Sequence, residues 1–373
     1  MKKTRIAILT YHNTRNYGAI LQCYALQQTV EEVLNCTCDV LDYDCVFLNS
    51  VYKIKKIYEN KNIKELIKWL LMNNHEKKLQ KGFSDFIKDN INLSKKYDLN
   101  TIAKANNEYD IFITGSDQVW NGKLNGNDKT YYLHFVNKEK YRFSYAASFG
   151  GIHLENFEKE MIKKELSKYD GISVRESNAI DIIKNNIEKS VNVEFVLDPT
   201  LLLEHSKWIK LLKQLSPIRK KKYIFVYLIA DTPSLIDFAR KLAKTNNLEV
   251  ICIHKSYKNF GGVINIKDAS VYEFLNYIYN AEYVVTSSFH GVCFSINYRK
   301  QFFYELDKRK INNNSRIESL INITNLNNRE IIDGKNPFIN EIIDYNIVEQ
   351  QIKKHREKSY QYISGIKKRD DNE

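Results

Sequence analysis

Short apolar runs alternate with amphipathic segments along most of the chain. Arg5-Ile-Ala-Ile-Leu-Thr10 has the length of a buried strand, and Gly18 to Leu34 places Ile20, Leu21, Tyr24, Ala25 and Val30 on one helical face. Thr37 to Tyr43 returns to a strand pattern, so the chain opens as a βαβ unit. Between the first strand and helix, His12 to Gly18 forms a loop at the strand's C-terminal end, where open α/β sheets place ligands. The loop lacks a G-x-G-x-x-G pattern, which argues against a dinucleotide.

From Val51 to Leu99 the pattern changes to lysine-rich amphipathic helices, among them Ile63 to Met72 and Phe83 to Lys88. It predicts a helical insertion packed on the surface; the same basic faces suit peripheral contact with the inner membrane face or a lipid-linked substrate. The sheet pattern resumes at Tyr109 to Thr114, which runs directly into Gly115-Ser-Asp-Gln-Val-Trp-Asn121. Tyr141 to Ser148 and Gly171 to Arg175 predict two further strands joined by a crossover helix within Leu154 to Tyr169, and Ser177 to Lys184 predicts the next helix. Val196 to Lys222 reads as a passage between halves, punctuated by Pro217 and the basic run Arg219-Lys-Lys-Lys222.

A second alternating series follows: strand Tyr223 to Ile229, helix Pro233 to Thr245, strand Glu249 to Ile253, helix Val271 to Asn280, strand Tyr283 to Thr286. Two such series predict an α/β fold class, with two Rossmann-like domains facing each other across a cleft. The expected division is residues 1–205, with the helical insertion over about 51–99, then 206–340, then 341–373, where a helix over Val348 to Gly365 packs back and a polar tail follows. A length of 373 residues suits two domains better than a single core.

The segment Tyr283-Val-Val-Thr-Ser-Ser-Phe-His-Gly-Val-Cys-Phe-Ser-Ile296 predicts a buried strand that delivers His290 to a helix N-terminus. The first turn of a helix carries unpaired N–H groups and the positive end of its dipole, so Ser287, Ser288 and Gly291 would frame an anion site. A histidine there can exchange protons beside the anion; equally, it can be a packed corner residue with satisfied ring nitrogens. Arg175 ends a predicted strand; its planar fork suits a carboxylate or phosphate ligand, and equally it can pair with a surface carboxylate of the protein.

Composition sharpens this only in part. The chain is 43% hydrophobic, with 13 Gly and 4 Pro, and no apolar stretch is long enough to span a bilayer. The apolar part of the N-terminal segment is too short for a signal peptide, which predicts a cytoplasmic protein. The net charge of +12 fits lysines spread over solvated faces, and equally attraction to phosphorylated metabolites, a lipid-phosphate carrier or an acidic membrane surface. No helix-turn-helix, finger or RNA-binding signature accompanies it, so nucleic acid is not expected. The six cysteines form no C-x-x-C pair, no finger-like histidine pair follows them, and no metal site or cofactor loop is predicted.

Six blocks, taken together, resemble the polysaccharide pyruvyl transferase family. They are Leu9-Thr-Tyr-His-Asn with Asn16-Tyr-Gly-Ala-Ile-Leu-Gln22, Thr114-Gly-Ser-Asp-Gln-Val-Trp-Asn121, Ser144-Tyr-Ala-Ala-Ser-Phe-Gly150, Ser173-Val-Arg-Glu176, Leu197-Asp-Pro-Thr200 and Thr286-Ser-Ser-Phe-His-Gly291. The last has the form found in a bacterial subgroup of the family, whereas some members carry Arg-Leu-His where this chain has Ser288-Phe-His290. The resemblance implies a GT-B-like fold and transfer of a pyruvyl group from phosphoenolpyruvate to a sugar as a ketal, with release of phosphate.

Residue by residue, the resemblance implies His290 as the catalytic acid and base, with Arg175 and Lys310 holding the donor beside Ser287, Ser288 and Gly291. Lys308 and Arg309 are close enough to compete with Lys310 for that role. The acceptor sugar, nucleotide- or lipid-linked, is expected on the first domain at Asn16, Tyr17, Gly18, Ser116, Asp117 and Trp120, whose aromatic and short polar side chains suit sugar faces and hydroxyls; equally, Trp120 and Tyr17 can be packing residues beneath the cleft. Two rival readings are a glycosyltransferase of the same shape with a nucleotide-sugar donor, and a non-catalytic protein of polysaccharide assembly. The sequence leaves open the sugar and the oligomeric state, a homo-oligomer included.

Overall fold

A computed structural model describes residues 4–52, 63–151, 153–187, 191–212, 216–229, 232–254, 259–307, 314–336 and 338–367, without the side chains of 50–52 and 63–73. The first sheet is built from β1 (Arg5–Leu9), β2 (Thr37–Tyr43), β3 (Leu93–Tyr97), β4 (Ile111–Thr114) and β5 (Tyr141–Ser144), all parallel in the order β3-β2-β1-β4-β5. Its helices are α1 (Tyr17–Leu34), α2 (Val46–Tyr52), α3 (Ile63–Asn90), the single turn α4 (Gly122–Asn125) and α5 (Asn156–Glu165). A two-stranded parallel sheet, β6 (Ile172–Val174) and β7 (Val193–Phe195), continues this half, with α6 (Asn178–Lys184) between its strands and α7 (His205–Lys210) after them.

The second sheet repeats the plan. It comprises β8 (Tyr223–Leu228), β9 (Glu249–His254), β10 (Ile264–Ile266), β11 (Tyr283–Thr286) and β12 (Gln301–Tyr304), parallel in the order β10-β9-β8-β11-β12. The helices are α8 (Pro233–Asn246), α9 (Val271–Tyr279), α10 (Phe289–Asn297), α11 (Ser315–Thr324) and α12 (Tyr345–Ser364). Both sheets have the 3-2-1-4-5 strand order of a Rossmann-like half, so the molecule is α/β with two such units in a GT-B-like layout. Every residue of β8 is buried, as a central parallel strand covered on both faces requires.

Two expectations about elements change. The region 51–99 is not helical throughout: Leu93-Ser-Lys-Lys-Tyr97 forms the edge strand β3. Its lysines face outward on an edge, a position where charge blocks further strand addition and hides the strand from an apolar pattern. The strand expected over Tyr141 to Ser148 stops at Ser144 because Ala146 takes a left-handed conformation, φ 50°, and turns the chain out of the ladder. The amphipathic pattern of Ile63 to Met72 falls on side chains outside the described residues. No helix among the described residues is long and apolar enough to cross a membrane.

The two halves are tied at several points. Tyr17 stacks on Phe274 with ring centres 4.3 Å apart and donates its hydroxyl to the Ala269 carbonyl at 2.7 Å. Helix α3 reaches the second half through His75 and Asp268, 2.8 Å apart. Helix α12 follows the second sheet in sequence but rests on the first half: Tyr362 donates to the Ser144 carbonyl, Arg356 to that of Leu201 and Tyr360 to that of Leu202. Ser359, fully buried, accepts the Leu197 N–H at 3.0 Å.

Ser359→Ala leaves that buried N–H without its acceptor and is expected to cost about 1–3 kcal/mol of stability. Ser364→Ala, on the exposed side of the same helix, is expected to change it by less than about 0.5 kcal/mol. Urea denaturation midpoints measure both, and equal values would show that this bond does not hold α12 in place.

Candidate active site

The turn from β11 into α10 is fixed by hydroxyl groups. Thr286 Oγ1 donates to the Tyr227 carbonyl at 2.7 Å and accepts the Ser288 N–H at 3.0 Å. Ser288 is the N-cap of α10 and accepts the Gly291 N–H at 3.3 Å. A Cβ on Gly291 would lie 2.3 Å from Thr286 Oγ1, so glycine is what lets the helix start this close to the strand.

His290 therefore projects from the first turn of α10, 6% exposed. Its Nδ1 edge packs on Gly18 of α1, where a Cβ would come within 2.0 Å. A glycine in the first half thus admits the histidine of the second. Nε2 has no hydrogen-bond partner and lies 3.7 Å from Asp198 Oδ2, near but beyond bonding distance.

Asp198 is the hub. Its Oδ1 accepts the Thr200 N–H at 3.0 Å and the Thr200 hydroxyl at 2.7 Å; its Oδ2 accepts Arg175 Nη1 at 2.8 Å and the Ser116 hydroxyl at 3.1 Å. Burial pushes the carboxyl pKa up, but His290 and Arg175 outweigh it and hold the group well below the ordinary carboxylate range. A fully buried carboxylate is tolerable only with such partners.

Arg175, at the end of β6, is 2% exposed. Burial works against its charge, and Asp198, Asp117 and Glu176 more than restore it. Nη2 stands 3.5 Å from Asp117 Oδ1, and the guanidinium carbon lies 4.9 Å from the centre of the Phe289 ring. Nε and Nη2 are buried without a hydrogen-bond partner. Asp117 itself sits at φ 80°, a strained backbone that buried surroundings hold in place.

Of the residues expected from sequence, His290, Arg175, Gly18, Ser116 and Asp117 come together here. Ser287 is 7% exposed and its hydroxyl is unpartnered. Ser288 and Gly291 build the turn, and their bond to each other occupies the donor expected for an anion. Asn16 caps α1 by accepting the Gly18 N–H. Tyr17 is packed between the halves with its hydroxyl spent. Trp120 is 0% exposed, stacked on Tyr132, with its indole N–H donated to the Tyr131 carbonyl. Both aromatics belong to the interior and present no face to a sugar. Lys310, with Lys308 and Arg309, lies outside the described residues.

Asp198 and Phe289 are the contributions that sequence reasoning passed over. In the sequence Asp198-Pro199-Thr200 lies in the passage between halves; in the structure it is a side-chain-capped turn with proline in its first position and the meeting point of three elements. Among the described residues no group of three or more His, Cys, Asp or Glu side chains is arranged to hold a metal ion.

No curated protein matches the chain. Among solved structures it is similar to a putative UDP-N-acetylglucosamine 2-epimerase from Listeria monocytogenes, with 11% identity over 98% of this chain and 91% of that one and a TM-score of 0.48. A UDP-GlcNAc 2-epimerase from Neisseria meningitidis gives 10% identity, 98% and 94% coverage and a TM-score of 0.45. An E. coli heptosyltransferase, WaaC, gives 10%, 81% and 88%, and 0.36. The polysaccharide pyruvyl transferase model matches residues 16–304, a span that contains Gly18, Ser116, Arg175, Asp198 and His290, so the chain belongs to the polysaccharide pyruvyl transferase family and is a transferase.

Proposed function

We propose that the chain transfers a pyruvyl group from phosphoenolpyruvate to a sugar of a surface-polysaccharide precursor, forming a ketal and releasing phosphate. The observation that carries this reading is a set of buried polar atoms without hydrogen-bond partners: Arg175 Nε and Nη2 and His290 Nε2, from two residues that both face Asp198, and the Ser287 hydroxyl three residues before the histidine. Buried polar groups left unpaired in a well-packed protein point to a ligand that pairs them. Guanidinium and hydroxyl donors call for oxyanions.

His290 is placed to move the protons. It delivers one to C3 of the donor, which makes C2 electrophilic, and takes one back from the first sugar hydroxyl as the new C–O bond forms. Phosphate then departs with the bridging oxygen and its electron pair, leaving an oxocarbenium centre at C2. The second hydroxyl attacks that centre, and its proton leaves with the phosphate. One donor and two hydroxyls thus give one ketal and one phosphate. Arg175 holds an anionic end of the donor, while Asp198 fixes Arg175 from behind and faces His290 Nε2. The sugar enters from the side of Ser116 and Asp117.

Incubation with phosphoenolpyruvate and a panel of nucleotide- and lipid-linked sugars, followed by phosphate release and a pyruvyl mass increment, tests the reaction. Turnover of a nucleotide sugar with no consumption of phosphoenolpyruvate would replace it with glycosyl transfer. His290→Ala and His290→Gln are expected to keep the fold and lower phosphate release roughly 10²- to 10⁴-fold; release at the wild-type rate would remove His290 from the reaction.

Asp198 generates a separate expectation in pH. Its folded pKa is depressed, so its stabilisation is complete above the ordinary carboxylate value near 4 and is lost as the pH falls towards the folded value. As the pH falls below about 4 the wild type should lose stability that Asp198→Asn does not lose, while above about pH 5 the difference between them stays flat. Denaturation curves that run parallel down to pH 2 would contradict the pairing.

A further inference from the structure

A second arginine faces the site from α11. Arg316, the second residue of that helix, places its guanidinium carbon 5.9 Å from the centre of the Phe289 ring, the same ring that Arg175 meets at 4.9 Å. The helix is seated against the turn that carries Arg175, where the Ser177 N–H meets the Ser319 hydroxyl at 3.5 Å.

The two guanidinium groups are not equally compensated. Arg175 has Asp198 at 2.8 Å and Asp117 at 3.5 Å, whereas the Gln118 amide, turned so that its oxygen faces Arg316, gives that residue only neutral acceptance at 3.2 Å. Arg316 Nε is buried with no hydrogen-bond partner. Burial and then the charge of Arg175 press the Arg316 pKa down to about 10, against the pull of Glu176, Asp117 and Asp198. Placing two like charges over one ring is unfavourable until an anion arrives between them.

We propose that Arg316 and Arg175 form a two-part clamp, both resting on Phe289, in which each guanidinium takes one of the two anionic ends of the donor. This rests on the phosphoenolpyruvate reading and deepens it. Arg175 has committed Nη1 to Asp198, so its remaining edge, Nε and Nη2, suits a single oxyanion. A ligand with both a carboxylate and a phosphate needs a second fork. Arg316 supplies it, and the clamp selects such ligands over those with one anionic group.

Calorimetric titration of wild type, Arg316→Gln and Arg316→Lys with phosphoenolpyruvate and with inorganic phosphate tests the clamp, with thermal melting to confirm that each chain is folded. Arg316→Gln is expected to weaken phosphoenolpyruvate binding about tenfold or more and to change phosphate binding less than about threefold. Lysine should recover part of the loss, since it restores charge without the fork. Phosphoenolpyruvate binding within about twofold of wild type in both variants, or equal losses for both ligands, would overturn the clamp. Should the glutamine variant fail to fold, the lysine variant alone decides: a loss of phosphoenolpyruvate binding greater than its loss of phosphate binding supports the clamp, and equal losses or none overturn it. A wild type that binds phosphate but not phosphoenolpyruvate overturns the donor assignment itself, a result visible before any variant is compared.

Discussion

A buried carboxylate organises this molecule. Asp198 is fully enclosed and ionised, and a charge in that position is stable only while its partners stay in place. Those partners come from different parts of the chain: Ser116 beyond β4, Arg175 at the end of β6, Thr200 two residues on, and His290 at the start of α10. The electrostatic demand of one side chain therefore draws residues from the ends of two sheets towards one point. The proposed reaction, which takes an arginine from one half and a histidine from the other, depends on that placement, since misplacement by about 1 Å is costly in such reactions.

Glycine and hydroxyl groups supply the remaining tolerance. Gly18 removes the one Cβ that would collide with the His290 ring, and Gly291 removes the one that would collide with Thr286. In both places a close approach substitutes for a contact between larger side chains, and it leaves the histidine with one enclosed edge and one edge free of hydrogen bonds. The Thr286 hydroxyl, bonded to the Tyr227 carbonyl on one side and the Ser288 N–H on the other, holds the backbone of the turn.

The sequence made the framework legible because buried parallel strands are continuous apolar runs and their helices repeat at 3.6 residues. It concealed β3 because an edge strand carrying Lys95 and Lys96 has no apolar face to display. The motif of His290 was readable for a related reason: Ser-Ser-Phe-His-Gly interrupts an apolar run where a strand ends, and small polar residues at that point signal a helix start. Tyr17 and Trp120 misled in the opposite sense, since an aromatic in a loop block looks like a sugar platform until its ring and polar atom are both found occupied. Asp198 had no local signal of its importance, because three of its partners are distant in sequence and only folding brings them together.

A helix N-terminus invites an anion, but the first turn of α10 is partly occupied by its own cap. Ser288 caps α10 and consumes the Gly291 N–H, so the turn offers less to an anion than an uncapped end would. The position two residues before the histidine, where some family members have arginine, is here a capping serine with no charge to contribute. The cationic demand passes to groups that arrive from elsewhere: Arg175 from the first half and Arg316 from α11, both over the ring of Phe289. A single aromatic between serine and histidine thus does what neither neighbour can, giving two guanidinium groups from separate elements a common surface beside His290.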